Sequence, residues 1–392
     1  MRKKLLIVTD KLYGGGVQRV LSLLSLFAPP DVEVIFAVLE RGVSYPLRSK
    51  VYLIKNYKRG APLDFLRSLI SLYKLSLYER VDAMLGCKSR GRNLVSFCLG
   101  IKRFFRIETH PYNPPIRGLS GKIPYWIKTR ILYRLPRKIF TISETISEYL
   151  ITHYKIPARN ILLVYNPIDI DQICQLVEEP LDNGERILFS FPVIVSCARL
   201  DVQKGQWHLI RSFKPVSEVL PDCKLVFIGD GPLRGYLEGL VTELGLKDKV
   251  FFLGWKNNPF KYMARSTLFC LSSLWEGFPN VVVEALACGL PVMSADCLSG
   301  PREILAPGTE YKVEKLRKPE YGEYGILMPV FDGKMYKADD PLTWQEEMWA
   351  EEIIKLLKNP EMLENYRRKA RCRAMDFEAK KQVQKYFDVI FS

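Results

Sequence analysis

Short apolar runs alternate along this chain with longer stretches whose apolar residues recur at helical spacing. Leu5 to Thr9 is the first run; it leads into Gly14, Gly15 and Gly16, and Val17 to Leu26 then reads as a helix. Val32 to Leu39 and Val81 to Leu85 are further strand-like runs, and Arg106 to Glu108 marks the end of another. Phe140 to Ser143 is one more, followed by the helical pattern of Glu144 to Tyr154. Strands that alternate with helices predict a parallel sheet covered on both faces, the α/β class.

The second half repeats this logic. Strands are predicted at Val193 to Ala198, Lys224 to Ile228, Val250 to Leu253, Leu268 to Ser272 and Pro291 to Ser294. Helices are predicted at Trp207 to Val219, with Pro215 as a candidate kink, at Leu233 to Leu244, at Pro279 to Cys288, and from Glu361 to Phe391. Between the halves, Asn166 to Arg186 is acidic and holds Pro167, Pro180 and Gly184, the composition of a linker. Tyr311 to Thr343 is charged and irregular and reads as a surface insertion.

Composition adds bounds to this pattern. A length of 392 residues suits two domains, and 48% apolar against 26% charged residues excludes a disordered chain. The nine cysteines are scattered with no C-x-x-C pair, which fits a reducing compartment better than a disulfide framework or a zinc ribbon. The apolar run Leu5 to Val8 is shorter than a secretory core and is followed by Asp10, and no run reaches the length of a membrane span. We expect a cytoplasmic protein, or one attached to a membrane without crossing it.

Charge divides the chain. Of the net +15, residues 1–170 hold 29 basic and 11 acidic side chains, a balance of +18, which leaves −3 for 171–392. Asymmetry of this kind points to two domains with different partners, one of them polyanionic. The stretch 117–138 (RGLSGKIPYWIKTRILYRLPRK) has seven basic residues and no acid, with apolar and aromatic residues mostly at helical spacing. It resembles a basic amphipathic helix lying on an anionic membrane. Lys88, Arg90, Arg92, Lys102, Arg103 and Arg106 are candidates to extend that patch. A core-packed helix with a solvated basic face is the competing reading.

Four segments carry candidate chemistry. Gly14-Gly15-Gly16-Val17-Gln18-Arg19 opens a helix after a strand, where glycines admit a ligand close to free N–H groups; it is not the G-x-G-x-x-G dinucleotide pattern. Arg199 and Lys204 share one loop at a strand end, a pairing suited to a diphosphate. Glu276-Gly277-Phe278-Pro279-Asn280 places an acid in a turn, and Glu284 follows among apolar residues, where a carboxylate needs a partner such as a ribose diol. His110, one of three histidines, stands at a strand end before a proline-rich loop, placed to bond a sugar hydroxyl or steady developing charge.

Taken together these segments resemble glycosyltransferase family 4. The match lies in Glu276 and Glu284 with seven residues between, followed by Ala285-Leu286-Ala287-Cys288-Gly289-Leu290-Pro291-Val292. Thr141-Ile142-Ser143, Tyr165-Asn166-Pro167-Ile168-Asp169, Gly229-Asp230-Gly231-Pro232 and Leu253-Gly254 fall in the expected order. The resemblance spans the chain except 311–343 and is weakest over 40–105. It implies the GT-B fold: two facing Rossmann-like parallel-sheet domains with a central cleft. The first, 1–170, would bind the acceptor, with the helix of about 376–392 packing back on it; the second, 186–375, would bind the nucleotide sugar.

The resemblance also implies residue roles. Arg199 and Lys204 hold the donor diphosphate, and backbone N–H groups of Gly15, Gly16, Gly277, Phe278 and Asn280 complete the cradle, with Pro279 shaping the turn. Glu276 contacts the transferred sugar, His110 touches it, Glu284 binds the ribose, and Gly231 and Trp255 line the base pocket. The implied reaction retains anomeric configuration, uses no metal and needs no cofactor, since the nucleotide sugar is a substrate. The only D-x-D string, Asp169-Ile170-Asp171, lies in the linker. Cys297 to Leu305 is similar to a subgroup that builds lipid-linked or surface oligosaccharides from UDP-sugars, and a lipid-linked acceptor at the cytosolic face of a membrane is expected. Two other readings stand beside this one. A GT-B UDP-sugar epimerase would need carboxylates poised about C2. A nucleic-acid-binding protein would use the basic half but leave Glu276 and Glu284 unexplained, so no nucleic acid is expected.

Overall fold

A computed structural model describes residues 2–54, 62–108, 131–309 and 316–392. The chain divides into two compact units, residues 1–168 with 377–392, and residues 169–376.

Unit 1 is built on a seven-stranded parallel sheet in the order β3-β2-β1-β4-β5-β6-β7. The strands are β1 (Lys3–Thr9), β2 (Val32–Val38), β3 (Lys50–Leu53), β4 (Ala83–Gly86), β5 (Lys102–Ile107), β6 (Lys138–Thr141) and β7 (Ile161–Leu163). Leu5 to Val8 are buried without alternation, as a strand covered on both faces requires. Its helices include α1 (Gly15–Leu26), α2 (Pro62–Glu79), α3 (Lys88–Ser96) and α4 (Glu144–Thr152). Ser143 starts α4 by accepting a hydrogen bond from Ile146 N at 3.2 Å.

Unit 2 repeats the architecture. Its strands are β8 (Val193–Cys197), β9 (Lys224–Ile228), β10 (Val250–Phe252), β11 (Leu268–Leu271), β12 (Val292–Ala295), β13 (Glu320–Tyr321) and β14 (Ile326–Met328). They run in the order β10-β9-β8-β11-β12-β14-β13, parallel except that β13 is antiparallel to β14. The helices are α5 (Ile170–Leu176), α6 (Asn183–Leu188), α7 (Gln206–Val219), α8 (Arg234–Glu243), α9 (Phe260–Met263), α10 (Asn280–Ala287), α11 (Pro301–Leu305), α12 (Trp344–Leu357) and α13 (Pro360–Ala374). Pro215 sits inside α7 without dividing it.

Three expectations change. The segment read as a linker is largely helical: Asp169 caps α5 by accepting from Gln172 N at 3.0 Å, and Asp182 caps α6 in a reciprocal capping box. The only D-x-D string is therefore partly spent on a helix start. Residues 311–343 are not a plain surface insertion, because Ile326, Leu327 and Met328 form a fully buried strand paired to β12. The C-terminal helical stretch breaks at the turn Met375–Phe377, where Glu378 caps α14 (Ala379–Ile390). Val383, Tyr386, Phe387 and Ile390 of α14 join the core of unit 1 beside Leu5, Ile7, Phe104 and Phe140.

Candidate active site

In an open parallel sheet, ligands bind beyond the carboxyl ends of the strands, at the point where strand order reverses. In unit 2 that point lies between β8 and β11, and the predicted residues gather there. The loop after β8 carries Arg199 and the turn Val202–Lys204; the loop after β11 carries Ser272, Ser273 and Glu276.

Lys204 Nζ is 2.5 Å from Glu276 Oε1. Ser273 Oγ donates to the same oxygen at 2.7 Å, and Gln203 Nε2 donates to Glu276 Oε2 at 3.3 Å. Glu276 is buried, so its charge is balanced by one cation and held by two further donors. Lys204 is fixed from its backbone as well: its N–H donates to Asp201 O at 3.0 Å and its carbonyl accepts from Ser272 Oγ at 2.7 Å. Arg199 is ion-paired with Asp201 and has a largely exposed side chain, as a group that meets a ligand from solution requires.

The turn Glu276–Asn280 leads into α10, with Pro279 at its N-cap. The Asn280 N–H is donated to Phe278 O at 3.0 Å, within the turn itself. Glu284 lies buried in the middle of α10. Gly231 lies in the loop between β9 and α8, where a Cβ would come within 2.4 Å of Leu200 O, so only glycine permits this approach of the β9 loop to the β8 loop. Trp255 follows Gly254 at the end of β10 and is 71% exposed. Gly15 and Gly16 begin α1 in the other unit. His110 and residues 117–130 lie outside the described residues.

Sequence reasoning missed the groups that hold this turn. Ser299 Oγ donates to Gly277 O at 2.7 Å and to Glu276 O at 3.3 Å, while Glu276 N donates to Leu298 O at 3.1 Å. The loop bearing Ser299 is anchored by Arg302, which bonds Asp296 Oδ2 at 2.7 Å and Glu320 Oε1 at 2.7 Å. The signal was the family-like segment Cys297 to Leu305, which gave no hint of what it would brace. Ser299→Ala is expected to weaken UDP binding about fivefold, matching roughly 1 kcal/mol for one such hydrogen bond. Calorimetric titration with UDP measures it, and unchanged affinity would leave Glu276 N to Leu298 O as the sufficient tether.

The proposed extension of the basic surface is corrected for three of its six residues; Lys102 is exposed and Lys88 and Arg103 are part-exposed. Arg106 is fully buried, Arg92 Nη1 is 2.9 Å from Glu108 Oε2, and Arg90 is paired with Asp10 and Glu40. A charge at a strand end reads as solvated in a sequence, whereas here each meets a carboxylate or polar partner inside the unit.

Two tandem parallel-sheet units with this strand order define the GT-B class. The fold matches Anabaena HepE, solved with UDP and glucose, at a TM-score of 0.75, covering 99% of each chain at 17% identity. It matches WaaG, a glycosyltransferase involved in lipopolysaccharide biosynthesis, at a TM-score of 0.69, covering 98% of this chain and 99% of that one at 14% identity. Residues 182–315 match the family described as Glycosyl transferases group 1, and residues 13–172 match Glycosyltransferase Family 4. An uncharacterised glycosyltransferase of Methanocaldococcus jannaschii is 37% identical over 285 residues, 71% of this chain and 69% of that protein. The chain belongs to glycosyltransferase family 4 and is a glycosyltransferase. It is also 30% identical, over 63% of its length and 58% of the relative's, to the N-acetylgalactosamine-N,N'-diacetylbacillosaminyl-diphospho-undecaprenol 4-alpha-N-acetylgalactosaminyltransferase of Campylobacter jejuni. A UDP-Gal:alpha-D-GlcNAc-diphosphoundecaprenol alpha-1,3-galactosyltransferase of Escherichia coli is 27% identical over 58% of this chain and 60% of that protein.

Proposed function

We propose that this enzyme moves a sugar from a UDP-sugar to a lipid-linked saccharide, with retention of configuration and without a bound metal, at the cytosolic face of a membrane. The observation that carries the reading is the Lys204–Glu276 pair, with Arg199 on the same loop, at the reversal point of the unit 2 sheet. Arg199 and Lys204 are the cations for the departing diphosphate, supplying the charge stabilisation that a metal supplies elsewhere. Glu276 meets hydroxyls of the transferred sugar and Glu284 those of the ribose. The leaving phosphate oxygen takes the acceptor's proton, so no separate base is required. The lipid diphosphate acceptors named for the C. jejuni and E. coli relatives support a lipid diphosphate on the acceptor here.

The membrane reading draws on the basic stretch. Within its described part, Ile131 and Leu135 are exposed beside Arg134 and Arg137, while Tyr133 is buried against Phe105 and Tyr154. No helix among the described residues is long and apolar enough to cross a membrane. Screening radiolabelled nucleotide sugars for hydrolysis or transfer, with and without EDTA, tests donor and metal independence; transfer lost in EDTA, or seen only from a non-uridine donor, would refute that part. Co-sedimentation should favour vesicles containing anionic lipid over neutral ones, and equal binding to both would refute the docking.

A further inference from the structure

The loops 199–205 and 272–280 of unit 2 carry two cations, Arg199 and Lys204, and two carboxylates, Asp201 and Glu276, with no other charged residue. Each cation is paired with one carboxylate: Lys204 Nζ with Glu276 Oε1 at 2.5 Å, and Arg199 Nη2 with Asp201 Oδ2. The two loops are therefore neutral together. A diphosphate approaching them meets cations that already serve an anion, and gains their full attraction only by taking them over.

Asp201 is the member of this set that no role above uses. An Asp at the start of a helical turn ordinarily caps it, but the Asp201 side chain makes no capping bond to Val202–Lys204 and holds Arg199 instead. Its Oδ1 is buried without a hydrogen-bond partner, so Arg199 is its principal compensation.

Both pairs can open by side-chain rotation alone. The Lys204 backbone stays tied to Asp201 O and Ser272 Oγ, and Asp201 N donates to Arg199 O at 3.0 Å. Glu276 keeps Ser273 Oγ and Gln203 Nε2 as donors when Lys204 turns away. The pairs differ in shielding. Side-chain exposure is 17% and 7% for Lys204 and Glu276, against 67% and 13% for Arg199 and Asp201, so the first pair is less screened by water and salt and is the stronger rival to a phosphate.

We propose that Asp201 and Glu276 are resident counter-anions of the donor site: each holds its cation until the donor's diphosphate takes it over, and reclaims it as UDP leaves. The exchange rests on the donor reading for unit 2 and adds Asp201 to it as a positioning residue acting through Arg199. With Lys204 on the diphosphate, Glu276 Oε1 retains the Ser273 donor and has capacity for a sugar hydroxyl, so recognition of the sugar follows seating of the diphosphate.

Ligand-observed NMR titrations of the full chain with UDP, and with uridine, which has no phosphate, test the exchange. Glu276→Gln should bind UDP roughly tenfold more tightly than the wild type, and Asp201→Asn about threefold more tightly. Uridine affinity should be the same in all three, which also reports that the variants are folded. Added salt should weaken UDP binding more steeply in Asp201→Asn/Glu276→Gln than in the wild type, because only the variant presents unpaired cations. UDP affinity that is unchanged or weaker in Glu276→Gln, or a gain matched by uridine, would overturn the exchange; unchanged affinity in Asp201→Asn alone would overturn the part given to Asp201. No UDP binding by the wild type or by either variant would instead sink the donor reading itself.

Discussion

Lys204→Ala is expected to lower turnover at saturating nucleotide sugar by about a hundredfold, near 3 kcal/mol of barrier, as for loss of one preorganised electrostatic donor. Two effects act in the same direction. The departing diphosphate loses a cation whose backbone is already pinned by Asp201 O and Ser272 Oγ, so no reorganisation is needed during reaction. Glu276 keeps its bonds to Ser273 and Gln203 but loses its charge partner, and an uncompensated buried carboxylate then opposes the donor's phosphates. The double variant Lys204→Ala/Glu276→Gln separates the effects. If the repulsive part is real, the double variant binds UDP more tightly than Lys204→Ala, with a coupling of about 0.5–3 kcal/mol. Unchanged turnover in Lys204→Ala would remove Lys204 from the chemistry.

The strands that could be read from sequence are those buried on both faces. Val193 to Cys197, Lys224 to Ile228 and Leu268 to Leu271 are contiguous apolar runs for that reason. The strands that escaped lie at sheet edges or are very short. β3 is half exposed at the rim of its sheet, and β14 has three residues enclosed by Gly325 and Pro329 in a charged segment. Lys204 and Glu276 each stood out by residue type and loop position. Their contact did not, because a separation of 72 positions is bridged only when β8 and β11, two non-consecutive strands, pair across the reversal of strand order. The braces from Ser299 and Arg302 were equally invisible, since hydroxyl-to-carbonyl bonds between loops leave no periodicity in a sequence.

Arg106 is the clearest case of a residue whose role is set by distant chain, and its replacement is the second large effect. Its Nη2 donates to Asn166 Oδ1 at 2.5 Å and its Nε to Tyr386 Oη at 3.0 Å, partners 60 and 280 residues away in sequence. Its Nη1 lies 3.7 Å from Glu108 Oε1. The guanidinium thus ties β5 to the end of the unit 1 chain at Asn166 and to the returning helix α14, whose Tyr386 ring also packs 4.6 Å from Phe140. Arg106→Leu keeps much of the volume but strands a buried amide, a phenol and part of a carboxylate's compensation. A loss of about 3–5 kcal/mol is expected, as for breaking a buried charge network from one side. Five of the six tryptophans, Trp207, Trp255, Trp275, Trp344 and Trp349, lie in unit 2, so intrinsic fluorescence would under-report the damage. Hydrogen exchange resolves it: peptides of β5, β6 and α14 should exchange faster in Arg106→Leu while those of β8 to β12 keep their protection. Equal protection of β5 and α14 in the variant would show that apolar packing around Tyr386 alone holds the returning helix.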